Sequence, residues 1–227
     1  MDALFVPDGP PRFAGLCFDL DDTLVDRGAS FERALDQLAR RFPSLRGGAL
    51  DELRALDARG RGDREVLCRQ AVARSPELGS PEAFARMLLA AIAEHVRPRP
   101  EVTALLEGLA EQHRLAVVSN GGPRQREKLA RAGLERFFAR ERVLISCEVG
   151  CEKPDPRIFE RALAALELGA AEVLHVGDDP ARDIVGAHGA GLASCWVSHG
   201  AVYPEGLPPP TFSVTELPDL PARIEAA

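Results

Sequence analysis

The sequence predicts an α/β fold: a parallel sheet with helices between its strands, interrupted once by an all-helical insert. Three observations carry this. Short apolar runs ending in Gly, Asp, Ser or Asn recur along the chain, and after Pro98 most of them alternate with helical patterns. Strands alternating with helices pack as a parallel sheet with right-handed crossovers. Between Arg27 and Arg97, apolar residues instead recur at helical spacing with no strand-like run. Finally, 227 residues with 45% apolar and 28% charged composition suit one large globular domain or a domain plus an insert.

The elements follow in order. Gly15–Leu20 reads as the first strand. In the insert, Phe31, Leu35, Leu38 and Phe42 mark one helix, Leu50, Leu53 and Leu56 a second short face, and Phe84, Leu88 and Ile92 another. The irregular stretch DARGRGDR, Asp57–Arg64, reads as a solvated turn between helices, the alternative being a loop that dips its arginines towards an anionic substrate. The stiff segment RPRP, Arg97–Pro100, leads back to the sheet, which gives a core at 1–26 and 98–227 and a helical insert at 27–97. A helix then spans Glu101–Gln112, a strand Leu115–Ser119, and a helix Arg124–Arg131 with Gly133 as its stop. A strand at Val143–Cys147 is followed by a helix at Pro156–Leu168, a strand at Val173–Val176, a helix at Ala181–His188 and a strand at Ser194–Val197. The tail TFSVTELPDL holds one more short strand closed off by prolines.

Composition limits the function classes. The net charge is −7, which supplies no general field for nucleic acid or an anionic membrane. The apolar run Met87–Ala93 is too short to span a bilayer. The N-terminal MDALFVPDGPPRF lacks the basic and apolar regions of a secretory signal. Five cysteines, Cys17, Cys68, Cys147, Cys151 and Cys195, are an odd number, three of them in apolar strand-like runs. This points to reduced, mostly buried thiols and a cytoplasmic setting. Cys147 and Cys151 have no second pair or suitably spaced histidine to make a zinc site.

In open α/β sheets ligands bind beyond the carboxyl ends of the strands. The first strand end carries FDLDDTLV, with Asp19, Asp21 and Asp22 packed into four positions. Two such charges about 4 Å apart repel by roughly 4 kcal/mol at an effective dielectric of 20, so the cluster calls for a cation. The second end carries Ser119, Asn120, Gly121 and Gly122. The loop after the third carries Lys153, one of only two lysines among 28 basic residues. The fourth carries Asp178, Asp179 and Asp183, and the fifth Ser198, His199 and Gly200. The other lysine, Lys128 in RQREKLAR, reads as part of a solvated helix face.

The set FDLDDTL, VVSNG, EKPDP and HVGDDPARD, in this order and with an insert between the first two, resembles the haloacid dehalogenase superfamily of hydrolases, in particular its phosphatases with a helical cap. The resemblance covers nearly the whole chain. It implies a Rossmann-like core beneath a mobile cap and a Mg²⁺-dependent phosphatase that hydrolyses a small cytoplasmic phosphomonoester through an aspartyl-phosphate. Asp19 would be the nucleophile and Asp21 the acid that protonates the leaving alkoxide and then deprotonates water. Mg²⁺, a hard cation suited to carboxylate and carbonyl oxygens, would be held by the Asp19 side chain, the Asp21 carbonyl and Asp178, with Asp183 bracing the site or binding through water. Lys153 would touch both phosphate and nucleophile as a compact point charge. Ser119 would hold a phosphate oxygen, assisted by the backbone N–H groups of Asn120 and Gly121.

Asp22 and Asp179 read as turn or capping residues, Thr23 as a loop-fixing hydrogen-bonder and His175 as a core histidine. Dehalogenases of the superfamily lack an acid two residues after the nucleophile, and phosphonate-cleaving relatives need a lysine in the cap, which the insert lacks. A sugar phosphomutase and a non-catalytic phosphate-binding protein are the remaining alternatives. Oligomeric state is left open.

Overall fold

A computed structural model gives the fold and describes residues 13–225. The reading of the N-terminus as no secretory signal falls almost wholly on residues 1–12, outside the described residues. Among the described residues, no helix is long and apolar enough to cross a membrane.

Strand β1 (Gly15–Phe18) leads into four helices, α1 (Arg27–Arg41), α2 (Gly48–Asp57), α3 (Arg64–Arg74) and α4 (Pro81–Glu94). Then come α5 (Pro100–Ala110), β2 (Arg114–Ser119), α6 (Arg124–Arg131), β3 (Val143–Ile145), the single turn α7 (Ser146–Val149) and α8 (Pro156–Leu166). The chain ends with β4 (Val173–Gly177), a π-helical turn at Pro180–Ile184, α9 (Val185–Gly189), β5 (Ala193–Val197), β6 (Phe212–Val214) and α10 (Leu220–Glu225). All six strands pair in parallel in the order β3-β2-β1-β4-β5-β6. This is the doubly wound, Rossmann-like order, and its sequence direction reverses between β1 and β4, where such sheets open a crevice. The two acid-bearing strand ends are therefore neighbours, with Phe18 opposite Val176.

The described residues divide into two compact units, one of residues 13–24, 99–123 and 133–225, the other Val25–Pro98 with Arg124–Ala132. In the sheet unit the central strands β1 and β4 are buried along their whole length, as a parallel sheet between helices requires. Cys17, Ala116, Val118 and Leu144 meet Ile158 and Phe159 of α8 in one continuous core.

In the helical unit, Phe31, Leu35, Leu53, Leu67, Phe84 and Leu88 form the core, as their spacing predicts. The helices start where the sequence supplies side-chain caps: Asp26 accepts from Ala29 N–H, Asp63 from Glu65 and Val66 N–H, and Ser80 from Ala83 N–H ahead of Pro81. α1 stops at Phe42, which Pro43 holds extended.

The DARGRGDR stretch is a turn between α2 and α3 with a buried anchor. Both terminal guanidinium nitrogens of Arg27 donate to Asp57, at 2.6 and 2.5 Å, and Asp57 also accepts from Gly60 N–H at 2.9 Å. Arg27 and Asp57 are both buried. Arg27→Ala strands a buried carboxylate, and its expected cost is about 3–5 kcal/mol, read as a drop in urea midpoint.

α6 belongs to the helical unit and packs against α4. Lys128 is consequently 3% exposed, not on a solvated face as the pattern suggested. Gln125, Lys128 and Leu129 share one buried stripe at helical spacing, where a lysine stem can lie along apolar surface.

Candidate active site

The strand ends bring four distant pieces of sequence together. Asp19 follows β1 directly, and its N–H donates to Val176 O at 2.9 Å, tying this loop to β4. Lys153, 134 residues away, is 3% exposed, and its Nζ donates to Asp19 Oδ1 at 2.5 Å and to Asp183 Oδ1 at 2.6 Å. The carboxylates of Asp19, Asp178 and Asp183 each offer an oxygen within 4.8 Å of the others. Asp21 is half-buried in the loop beyond Asp19, and Ser119 is buried at the end of β2.

Lys153 is held from behind. The Asn120 side chain donates to Lys153 O and accepts from Lys153 N–H, both at 2.8 Å. The Asn120 amide thus fixes the lysine's backbone. Gly121 N–H, expected to face a phosphate, donates instead to Ser146 Oγ at 2.9 Å. The carboxamide role was invisible to sequence reading because its partner lies 33 residues away.

Asp183 is the hub of the cluster. It is 1% exposed; Oδ1 takes Lys153 Nζ and His175 Nε2, the latter at 3.0 Å, while Oδ2 takes Asp179 N–H at 2.9 Å. With three donors on its two oxygens, it braces the site. His175 is a core histidine, as expected, but one aimed at this carboxylate and set edge-on against Phe159. Asp179 caps the π-helical turn, accepting from Ala181 and Arg182 N–H. π-helical turns concentrate at functional sites; here the turn carries Asp183 to Lys153.

Gly177, the last residue of β4, leaves room for this arrangement. A Cβ there would lie 2.3 Å from the Asp183 carboxylate. Gly177→Ala is expected to push Asp183 aside and lower turnover by about 10²-fold, with a far smaller change in Tm. Steady-state kinetics beside a thermal melt check this.

Two loop contacts differ from or extend the sequence reading. Thr23, expected to fix its loop by hydrogen bonding, is fully buried with no partner for Oγ1 among the described residues. The loop is held by backbone contacts: Asp22 adopts φ of 57°, and its carbonyl accepts from His199 Nε2 at 2.7 Å.

The charges of the cluster act on one another. Three carboxylates against one ammonium leave two negative charges in excess. Burial pushes the Asp19 carboxyl well up, and the neighbouring Asp183 and Asp178 push it further, against the pull of Lys153. Burial works against the Lys153 ammonium, but Asp183 and Asp19 outweigh it and raise its proton affinity. Burial also opposes ionisation of Asp183, yet Lys153 and His175 overcome it and hold this carboxyl far below the usual range. His175 is pushed down, chiefly by burial, and so donates as a neutral imidazole. An all-oxygen cluster with two excess negative charges fits a hard divalent cation.

A doubly wound parallel sheet with acids and a lysine converging at its switch point defines an α/β protein with a charged site at the carboxyl ends of its strands. The family model for haloacid dehalogenase-like hydrolases matches residues 13–191. The chain belongs to this family. Over 153 residues, 65% of the chain, it is 41% identical to a phosphoserine phosphatase of Thermus thermophilus, and the match spans 59% of that protein, somewhat over half its length. Among solved structures it is similar to the HAD-hydrolase YfnB of Bacillus subtilis, crystallised with magnesium, at a TM-score of 0.80 and 23% identity, covering 94% of this chain and 99% of that one. It is also similar to a 2-haloacid dehalogenase of Pseudomonas syringae, at a TM-score of 0.66 and 30% identity, covering 94% and 98%.

Proposed function

We propose that the protein is a Mg²⁺-dependent phosphatase acting on a small phosphorylated metabolite through a covalent phosphoryl group on Asp19. The observation that carries this reading is the Lys153 ammonium seated between Asp19 and Asp183 with Asp178 alongside. The similarity to a phosphoserine phosphatase supports it.

In this reading one Asp19 oxygen attacks phosphorus while the ester P–O bond breaks, and Asp21 gives its proton to the departing alkoxide. The Asp21 carboxylate then takes a proton from water as that water attacks phosphorus. The Asp19–phosphorus bond breaks and phosphate leaves. Ser119 orients the phosphoryl oxygens, and Lys153 offsets their charge. Asp19, the Asp21 carbonyl and Asp178 would hold Mg²⁺, which offsets the remaining negative charge on the acids and the transferring group. Asp183 holds Lys153 in register. The helical insert 27–97 corresponds to the family's cap.

The similarity to a 2-haloacid dehalogenase raises a second reading, halide displacement by the same Asp19. Asp21 separates the two: a carbon–halogen bond needs no proton donor for its leaving group, whereas an alkoxide does. Release of phosphate from an aryl phosphate, lost in excess EDTA and restored by Mg²⁺, is the expected result. Phosphate release that persists in EDTA, or halide release from a 2-haloacid without phosphatase activity, would contradict the proposal.

A further inference from the structure

We infer that Trp196 is a positioning residue for Asp178: its indole N–H ties down the backbone of the loop that presents this acid to the divalent cation. The inference rests on the metal reading above. Trp196 is the chain's one tryptophan and is 6% exposed. It sits on β5 opposite Gly177, the last paired residue of β4. Asp178 thus lies one step past the β4–β5 pairing, and there the Trp196 Nε1–H donates to Asp178 O at 2.9 Å.

The indole is itself braced. It meets Tyr203 edge-on, with centroids 5.0 Å apart at 79°, and the Tyr203 hydroxyl donates to Pro208 O at 2.8 Å. A chain of contacts thus runs from the Pro208 carbonyl through two rings to the acid-bearing loop. The need for it is electrostatic. Asp178 lies within 4.8 Å of two other carboxylates that share a single ammonium, so the net charge facing its loop is repulsive until a divalent cation is bound. A rigid donor on a strand holds the backbone in place, so binding the cation requires less ordering of the loop. Partners one shell out from a metal typically account for 10- to 100-fold in affinity.

Mg²⁺ titration of the full chain tests this. In ¹⁵N-labelled wild-type protein, the single indole N–H resonance is expected to move with Mg²⁺ at the same Kd that calorimetry reports. Trp196→Phe, which keeps a ring and removes the donor, is expected to raise that Kd about tenfold or more. A chain carrying 3-benzothienylalanine at 196 keeps the bicyclic shape without the N–H and is expected to show the same loss. It decides the matter if the phenylalanine variant does not fold. Wild-type affinity in the benzothienyl chain, or an indole resonance indifferent to bound Mg²⁺, would overturn the inference while leaving the metal reading standing. Absence of Mg²⁺ binding by wild-type protein would overturn the metal reading itself, and the inference with it.

Discussion

Asp19→Asn is expected to lower phosphatase turnover by at least about 10⁴-fold, the scale on which loss of a nucleophile is felt. The substitution changes shape hardly at all. Its effect is chemical: the carboxylate oxygen carries negative charge and can bond to phosphorus, whereas an amide oxygen is a poor nucleophile. The fold should not suffer. Burial first, and then the neighbouring Asp183 and Asp178, raise the proton affinity of Asp19 against the pull of Lys153, so a neutral amide removes a desolvated charge that the site holds at a cost. In EDTA, Asp19→Asn is therefore expected to melt at or above the wild-type temperature. An active enzyme thrown off by misfolding would show the reverse, a lowered Tm. Measuring kcat and Tm on the same preparation separates the two.

Lys153→Met is expected to act on both properties. The methionine stem fills similar space, but the ammonium shared by Asp19 and Asp183 is gone, leaving buried carboxylates facing one another. Removing one member of a buried ionic group typically costs about 3–5 kcal/mol. Urea unfolding in EDTA should register a loss of that order, and added Mg²⁺ should recover part of it by supplying positive charge to the same acids. Turnover should be lost with or without Mg²⁺. Lys153→Arg is expected to remain inactive, because a planar guanidinium cannot occupy the point between two carboxylates that a tetrahedral ammonium fills. Unchanged stability of Lys153→Met in EDTA would mean that the ammonium does not balance the cluster.

Much of this could be read in the sequence because the relevant periodicities are local. The apolar runs placed the first five strands within two residues of their observed bounds and the sixth within the tail TFSVTELPDL, and the α6 range Arg124–Arg131 matches outright. Strand ends are less legible, because a side chain's distant partner decides where pairing stops. The first apolar run continues to Leu20, but pairing stops at Phe18, since Asp19 turns its side chain to Lys153 while its N–H reaches Val176 O. The third run continues to Cys147, yet Ser146 already begins α7, and its hydroxyl is taken up by Gly121.

The helix expected at Ala181–His188 opens as a π-helical turn instead. Asp183, within that turn, accepts from a lysine 30 residues earlier, a contact that no local pattern encodes. The same limit hid the Asn120 clamp on Lys153 and the Trp196 bond to Asp178. Each is a side chain meeting a backbone group brought near only by the sheet order. Lys128 misled for a related reason. Its neighbours in sequence are charged, and only the packing of α6 on α4 buries it. Residue identity thus marked the acids and the lysine, while the groups that hold them required the fold.

In the proposed mechanism Asp19 carries the phosphoryl group. An acyl phosphate quenched in acid during turnover and reduced with borohydride converts its aspartate to homoserine. Peptide mass spectrometry should find homoserine at position 19 in the wild-type protein and none in Asp19→Asn. Homoserine at another acid, or steady turnover with position 19 unmodified at every quench time, would contradict the account.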